Sequence, residues 1–142
     1  KGEKVSGDRG SYFKTDSGIL CVILSDGMGT GSDAARDSDQ AVAILEKFLR
    51  SGIDPAISMK ILNSVMLLRS GDSWGYATVD LMCVDLFSGE TCFYKYGAAP
   101  SYVHSGKGIK RIIRSGILWP QDNYRYLILR LLNLLMASNR CR

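Results

Sequence analysis

The order of apolar patterns along the chain predicts an α+β fold, with sheet packed on sheet and helices outside. Three observations carry that prediction. The run Ile19-Leu20-Cys21-Val22-Ile23-Leu24 is apolar at every position, as a strand covered on both faces must be. Two amphipathic helical patterns then follow in succession, with no strand between them. Every later pattern up to about residue 113 reads as strands joined by short turns. Neither an internal repeat nor a low-complexity segment interrupts this order.

Residues 3–6 and 11–14 read as short strands, and Thr15-Asp16-Ser17-Gly18 as the turn into the apolar run. That run ends on Ser25-Asp26-Gly27. A helix starts near Ser32 or Asp33, either of which can cap it, and carries Val42, Leu45 and Leu49 at helical spacing. Gly52 ends it. Asp54-Pro55 is a restart signal, with an acid at the cap and Pro at the first helical position. The second helix carries Ile57, Ile61, Leu62, Val65, Met66 and Leu68 and stops at Gly71. Strands over Tyr76 to Phe87 and Thr91 to Tyr96 are joined by Ser88-Gly89, and a second hairpin pairs Ser101 to His104 with Ile109 to Ile113.

A chain of 142 residues, 46% hydrophobic and 23% charged, is large enough to bury a core as one domain. Its net charge of +4 is unevenly spread. Residues 1–105 carry 10 basic and 13 acidic side chains, whereas residues 106–142 carry 8 basic and one acidic. The body offers no basic face to a phosphodiester backbone, so no nucleic-acid partner is expected. Cys21, Cys83, Cys92 and Cys141 show no CxxC spacing and only His104 could join them, which argues against zinc. Buried reduced thiols suit a cytoplasmic setting. The first residues are charged and polar, and the opening at Lys1 is that of an excised domain, expected to be cytoplasmic even where the full-length protein is membrane-anchored.

The segment from Asp26 to Asp33 supports three readings. Gly29-Thr30-Gly31-Ser32-Asp33-Ala34 satisfies the G-x-G-x-x-A dinucleotide pattern. A second helix follows instead of a parallel strand ending in an acid, and Asp26 would repel a pyrophosphate, so the context disfavours it. In the second reading Asp26 is a cation ligand. It ends a buried strand, Gly27 permits close approach of its own carbonyl or an ion, and Asp8 in Val5-Ser6-Gly7-Asp8 ends the first strand in the same way. If these strands are neighbours, the two carboxylates converge and a divalent ion offsets their repulsion. Hard oxygen donors select Mg²⁺ or Mn²⁺. In the third reading Asp26 caps a turn or helix and Asp8 is a turn residue.

Four segments in order, Val5-Ser6-Gly7-Asp8, Ser25-Asp26-Gly27-Met28-Gly29-Thr30-Gly31, Tyr76-Ala77-Thr78-Val79-Asp80-Leu81 and Tyr96-Gly97-Ala98-Ala99-Pro100-Ser101, resemble the phosphatase domain of the stage II sporulation protein E family, within the type 2C metal-dependent protein phosphatases. The resemblance covers residues 3 to about 113. It implies an α-β-β-α sandwich with a two-metal centre of Mn²⁺ or Mg²⁺ at one end of the sheets. Asp8 and Asp26 would be the metal-binding, catalytic acids acting through a metal-activated water, and the Gly27 carbonyl would join them. Met28, Gly29, Gly97 and Pro100 would lie at the substrate rim. Thr78 and Asp80 read as strand packing. The implied substrate is phosphoserine on a protein such as an anti-sigma-factor antagonist. Self-association through helices 32–51 and 55–70, or through a C-terminal helix, is a further expectation.

The resemblance stops near residue 114, which divides a partial phosphatase domain (1–114) from an atypical tail (115–142). The family's Leu-Pro-x-Gly motif, second Ser-Asp-Gly and terminal Asp-Asp pair are missing, and after Glu90 the chain has only Asp122 as an acid. The segment 123–138 is apolar nearly all round and predicts a helix. It reads as a buried substitute for strands, as a membrane-surface or partner helix, or as the product of a shifted reading frame. Scarce downstream acids give an alternative function, an impaired pseudo-phosphatase acting only as a protein-binding module.

Overall fold

The computed structural model describes residues 5–69, 77–105 and 108–118. Along the chain lie β1 (Asp8–Lys14), β2 (Ile19–Gly27), α1 (Ser32–Arg50), α2 (Pro55–Arg69), β3 (Ala77–Asp85), β4 (Thr91–Tyr96), β5 (Ser101–Ser105), β6 (Gly108–Ile112) and β7 (Gly116–Leu118). Five strands form one sheet in the order β1-β2-β3-β4-β7, and β5 pairs with β6 in a second. All neighbours in both sheets are antiparallel.

The apolar run of β2 serves two cores at once. Cys21 and Ile23 join Phe13, Leu81 and Cys83 against Leu45 and Leu49 of α1 and Met59 and Leu62 of α2. Leu20 and Val22 join Met82, Val84 and Phe93 against Val103 of β5 and Ile112 of β6. Successive residues of a strand point to opposite faces, so a strand between a helical layer and a second sheet must be apolar throughout. Helical layer, main sheet and second sheet are three layers of the expected sandwich, and the fold is α+β. Leu24 departs from the pattern at 42% exposure, because the covering layer ends there and a cleft begins.

The boundaries correct several expectations. Asp8 opens β1 instead of ending an earlier strand; pairing over seven residues sets the start of β1 opposite the end of β2. The helix cap is Gly31, with φ of 88° and no side-chain cap bond, so Ser32 and Asp33 lie within α1. Positive φ at both Gly29 and Gly31 turns the chain tightly enough for α1 to begin at once. Asp54 does cap α2, accepting from the Ile57 N–H at 3.0 Å. Strand β3 ends at Asp85 and not Phe87, because Asp85 Oδ1 accepts from the Phe87 and Ser88 amides at 2.8 and 3.2 Å. The same two bonds hold the Asp85 carboxyl below the usual range. The sheet runs past residue 114, since β7 pairs with β4. The expected helix at 123–138 lies outside the described residues. Among those described, no helix is long and apolar enough to cross a membrane.

Cys21, Cys83 and Cys92 are register neighbours across β2, β3 and β4, on the side facing the helices. All three are free thiols, with Cys21 and Cys83 Sγ atoms 3.8 Å apart. The hydrogen bond to Cys21 and burial both push the Cys83 thiol well above its ordinary range.

Candidate metal centre and its cleft

Asp8 and Asp26 are direct register partners at the open end of the β1–β2 pair. Cross-strand partners share a face, with Cβ atoms about 4.5–5.5 Å apart. Alternation from Leu20 and Val22 puts both carboxylates on the face that carries the second sheet. Local bonds fix the strand ends. The Gly27 amide donates to the Gly7 carbonyl at 3.1 Å, and Ser6 Oγ donates to Asp8 Oδ2 at 3.2 Å. The Asp26 amide donates to Thr78 Oγ1 at 3.3 Å, and Ser25 Oγ donates to the Thr78 carbonyl at 2.8 Å.

Like charges directly opposite one another destabilise a sheet. Partial desolvation at this crowded strand end, then the neighbouring Asp8 charge and contact with its carboxyl, raise the Asp26 carboxyl above its usual range. The two acids stand in an open cleft of about 540 Å³, walled also by Thr78, Asp80 and the segment from Gly97 to Ser101. Gly97 and Pro100 therefore lie in the cleft with the two acids. Met28 and Gly29, exposed in the connection from β2 to α1, are not among its lining residues.

Gly27 has a reason for being glycine that its sequence context concealed. A Cβ there would stand 1.9 Å from the Ala34 carbonyl oxygen, so the first turn of α1 rests on the end of β2 at backbone distance. Arg9 of β1 makes an ion pair with Asp39 of α1, a second tie between the helix and this strand end.

The donors fit a hard divalent cation in kind: two carboxylates, with peptide carbonyls adjacent. Among the described residues, no group of three or more His, Cys, Asp and Glu gathers as a ligand set. Asp80, which the sequence reading treated as packing, accepts at Oδ2 from Lys95 Nζ and from Ser101 Oγ, the latter at 2.6 Å. Its partners Lys95 and Ser101 lie 15 and 21 residues onward on other strands, so no local pattern in the sequence links them.

A family model for Stage II sporulation protein E (SpoIIE) matches residues 16–118, well over half of the chain. The chain belongs to the SpoIIE family. Stage II sporulation protein E of Bacillus subtilis (strain 168) is 36% identical over 116 residues, which is 82% of this chain and 14% of that protein. The Priestia megaterium protein is 34% identical over 113 residues, 80% of this chain and 19% of that one. The chain thus spans less than a fifth of these curated SpoIIE relatives. The solved PP2C phosphatase domain and regulatory-domain fragment of B. subtilis SpoIIE superposes with a TM-score of 0.69 at 32% identity, over 80% of this chain and 36% of that one. RsbX, solved in complex with magnesium, superposes with a TM-score of 0.64 at 21% identity, covering 82% of this chain and 56% of that one. At that identity it shows a shared fold. The SpoIIE match extends through β7, past residue 114.

Proposed function

We propose that this SpoIIE-family chain carries the first acidic half of a metal-dependent phosphoserine phosphatase site, acting on a phosphorylated protein of the anti-sigma-factor-antagonist kind. The observation that carries the reading is the register pairing of Asp8 with Asp26 at the mouth of a cleft. In support stands the B. subtilis SpoIIE relative, solved as a PP2C phosphatase domain.

In this reading Asp8, Asp26 and the Gly27 carbonyl hold Mg²⁺ or Mn²⁺. When bound, such an ion supplies activation of water and neutralises charge on the phosphoryl oxygens. The chain's own residues do the rest. Thr78 fixes the Asp26 backbone, so that carboxylate is aimed by two strands and not by a loop. The Gly97–Pro100 segment forms the opposite wall, where a phosphoserine-bearing stretch of protein would lie. Without a cation the cleft presents carboxylates to a phosphate dianion, which repel it. Phosphate binding should therefore require the divalent ion.

The test combines thermal unfolding with turnover on the full chain. Millimolar Mn²⁺ should raise Tm, as linkage requires of any ligand selective for the folded state, and Asp26→Ala should abolish the rise. A phosphoserine protein substrate should be hydrolysed only with the ion present. Absence of any Tm response in the wild type would remove the metal site. A normal Tm response without hydrolysis would leave a cation-binding protein module.

A further inference from the structure

Lys95 of β4 has only 2% of its side chain exposed; its register partner is Asp80, and Phe93, two residues back on the same face, belongs to the core beneath the second sheet. Burying an ammonium is unfavourable by several kcal/mol unless it is paired and hydrogen-bonded. A methionine at this position would join the core formed by Val22, Met82 and Phe93 but leave the Asp80 carboxylate without its counter-charge. The advantage of the charge is therefore directional. Lys95 Nζ donates to Asp80 Oδ2 of β3 and, at 2.8 Å, to Ser101 Oγ, the first residue of β5. Ser101 passes the bond on, donating to the same Asp80 Oδ2 at 2.6 Å. Among the described residues Asp80 Oδ1 accepts no bond, so the hold on this carboxylate passes through Lys95 and Ser101 alone.

This triangle lies where the main sheet hands the chain to the second sheet. The segment Gly97–Pro100 crosses between them and walls the cleft. Its leading end is fixed by a parallel bridge between Gly97 and Val79, with Gly97 at φ of 64°. Its trailing end is fixed at Ser101 by the triangle. Lys95 is also anchored through its own amide, which donates to Ser115 Oγ at 3.0 Å, so the lead into β7 braces the same point.

We propose that Asp80, Lys95 and Ser101 form a part-buried clamp that sets the Gly97–Pro100 wall at a fixed height over Asp8 and Asp26, making Lys95 and Ser101 positioning residues for the phosphoprotein segment. The substrate part rests on the phosphatase reading; the mechanical part does not. Lys95, with 2% of its side chain exposed, need not touch the substrate, whereas Ser101 itself lines the cleft. Their effect passes through the backbone between residues 97 and 100.

Hydrogen exchange on the full chain tests the mechanical part. Ser101→Ala should speed exchange of the amides bonded in the Val79–Gly97 bridge and in the β5–β6 pair about fivefold, the equivalent of one hydrogen bond's net worth. Amides of β2 should keep their wild-type rates, and Ser101→Thr, which restores the hydroxyl, should restore protection. Lys95→Met should move the same amides further. With Mn²⁺ present, Ser101→Ala should raise KM for a phosphoserine protein about threefold at unchanged kcat, since positioning of the bound segment is what is loosened. Unaltered exchange at those bonded amides, or an equal rise in β2, would overturn the clamp. Faster exchange with KM unmoved would overturn its role toward substrate. Should the wild type hydrolyse nothing, the phosphatase reading falls, while the exchange pattern still decides the clamp.

Discussion

Asp26 stands where the end of β2 meets the start of β1, and its carboxyl is raised first by desolvation and then by the facing Asp8. The sign of the consequence follows. A carboxyl whose folded value lies above its unfolded one stabilises the fold when protonated; that increment is complete below the ordinary Asp range and disappears as pH rises through the raised value. Asp26 is exposed, so screening keeps the increment small. NMR titration of the metal-free chain should find Asp26 titrating above an ordinary aspartate, and Asp8→Asn should lower it part of the way, because desolvation is the larger cause. A normal Asp26 titration would mean that the two acids do not feel each other. Much at this scale was readable in advance. An acid closing an unbroken apolar run announces a strand end, and Asp54 before Pro55 announces a cap. The Asp80–Lys95–Ser101 triangle was not readable, since its members lie on three strands and each is ordinary alone.

At the scale of elements, the decisive contact is α1 seated on the end of β2. With 1.9 Å between a hypothetical Gly27 Cβ and the Ala34 carbonyl oxygen, no rotamer can relieve the clash, and backbone must move. Gly27→Ala should destabilise by about 3 kcal/mol, the upper range for overpacking, as read from urea unfolding. Asp54→Ala, which removes one capping bond at the start of α2, should cost only about 1 kcal/mol in the same measurement. Helix α1 was legible from its 3.6-residue period, whereas α2 buries Met59 and Leu62 and leaves Ile57 and Ile61 exposed, so its apolar residues do not mark one face. The start of α1 was less legible, because Gly31 caps it by conformation and a sequence offers Ser32 and Asp33 as chemically better caps. The three-residue β7 carries too short a pattern to register as a strand, and only its partner β4 defines it.

At the scale of the whole molecule, the main sheet divides two cores of different reach. The helix-side core joins β1, β2, β3, α1 and α2, whereas the other depends on the β5–β6 hairpin for its cover. Leu45→Ala, at a fully buried position, should cost about 3 kcal/mol of global stability. Val103→Ala should cost less globally but selectively loosen β5 and β6, and with them the far wall of the cleft; hydrogen exchange by segment would separate the two outcomes. Sequence predicted sheet on sheet because β2 never alternates, and it paired β5 with β6 through their local turn, but that this hairpin stands apart from the main sheet is set by long-range packing. The row of Cys21, Cys83 and Cys92 runs across the centre of the larger sheet, directly under the helical layer. A maleimide reaches the buried Cys21 and Cys83 thiols only when helices and strands part, so the rate at which these two become labelled is a clock for that separation, already installed in the native chain.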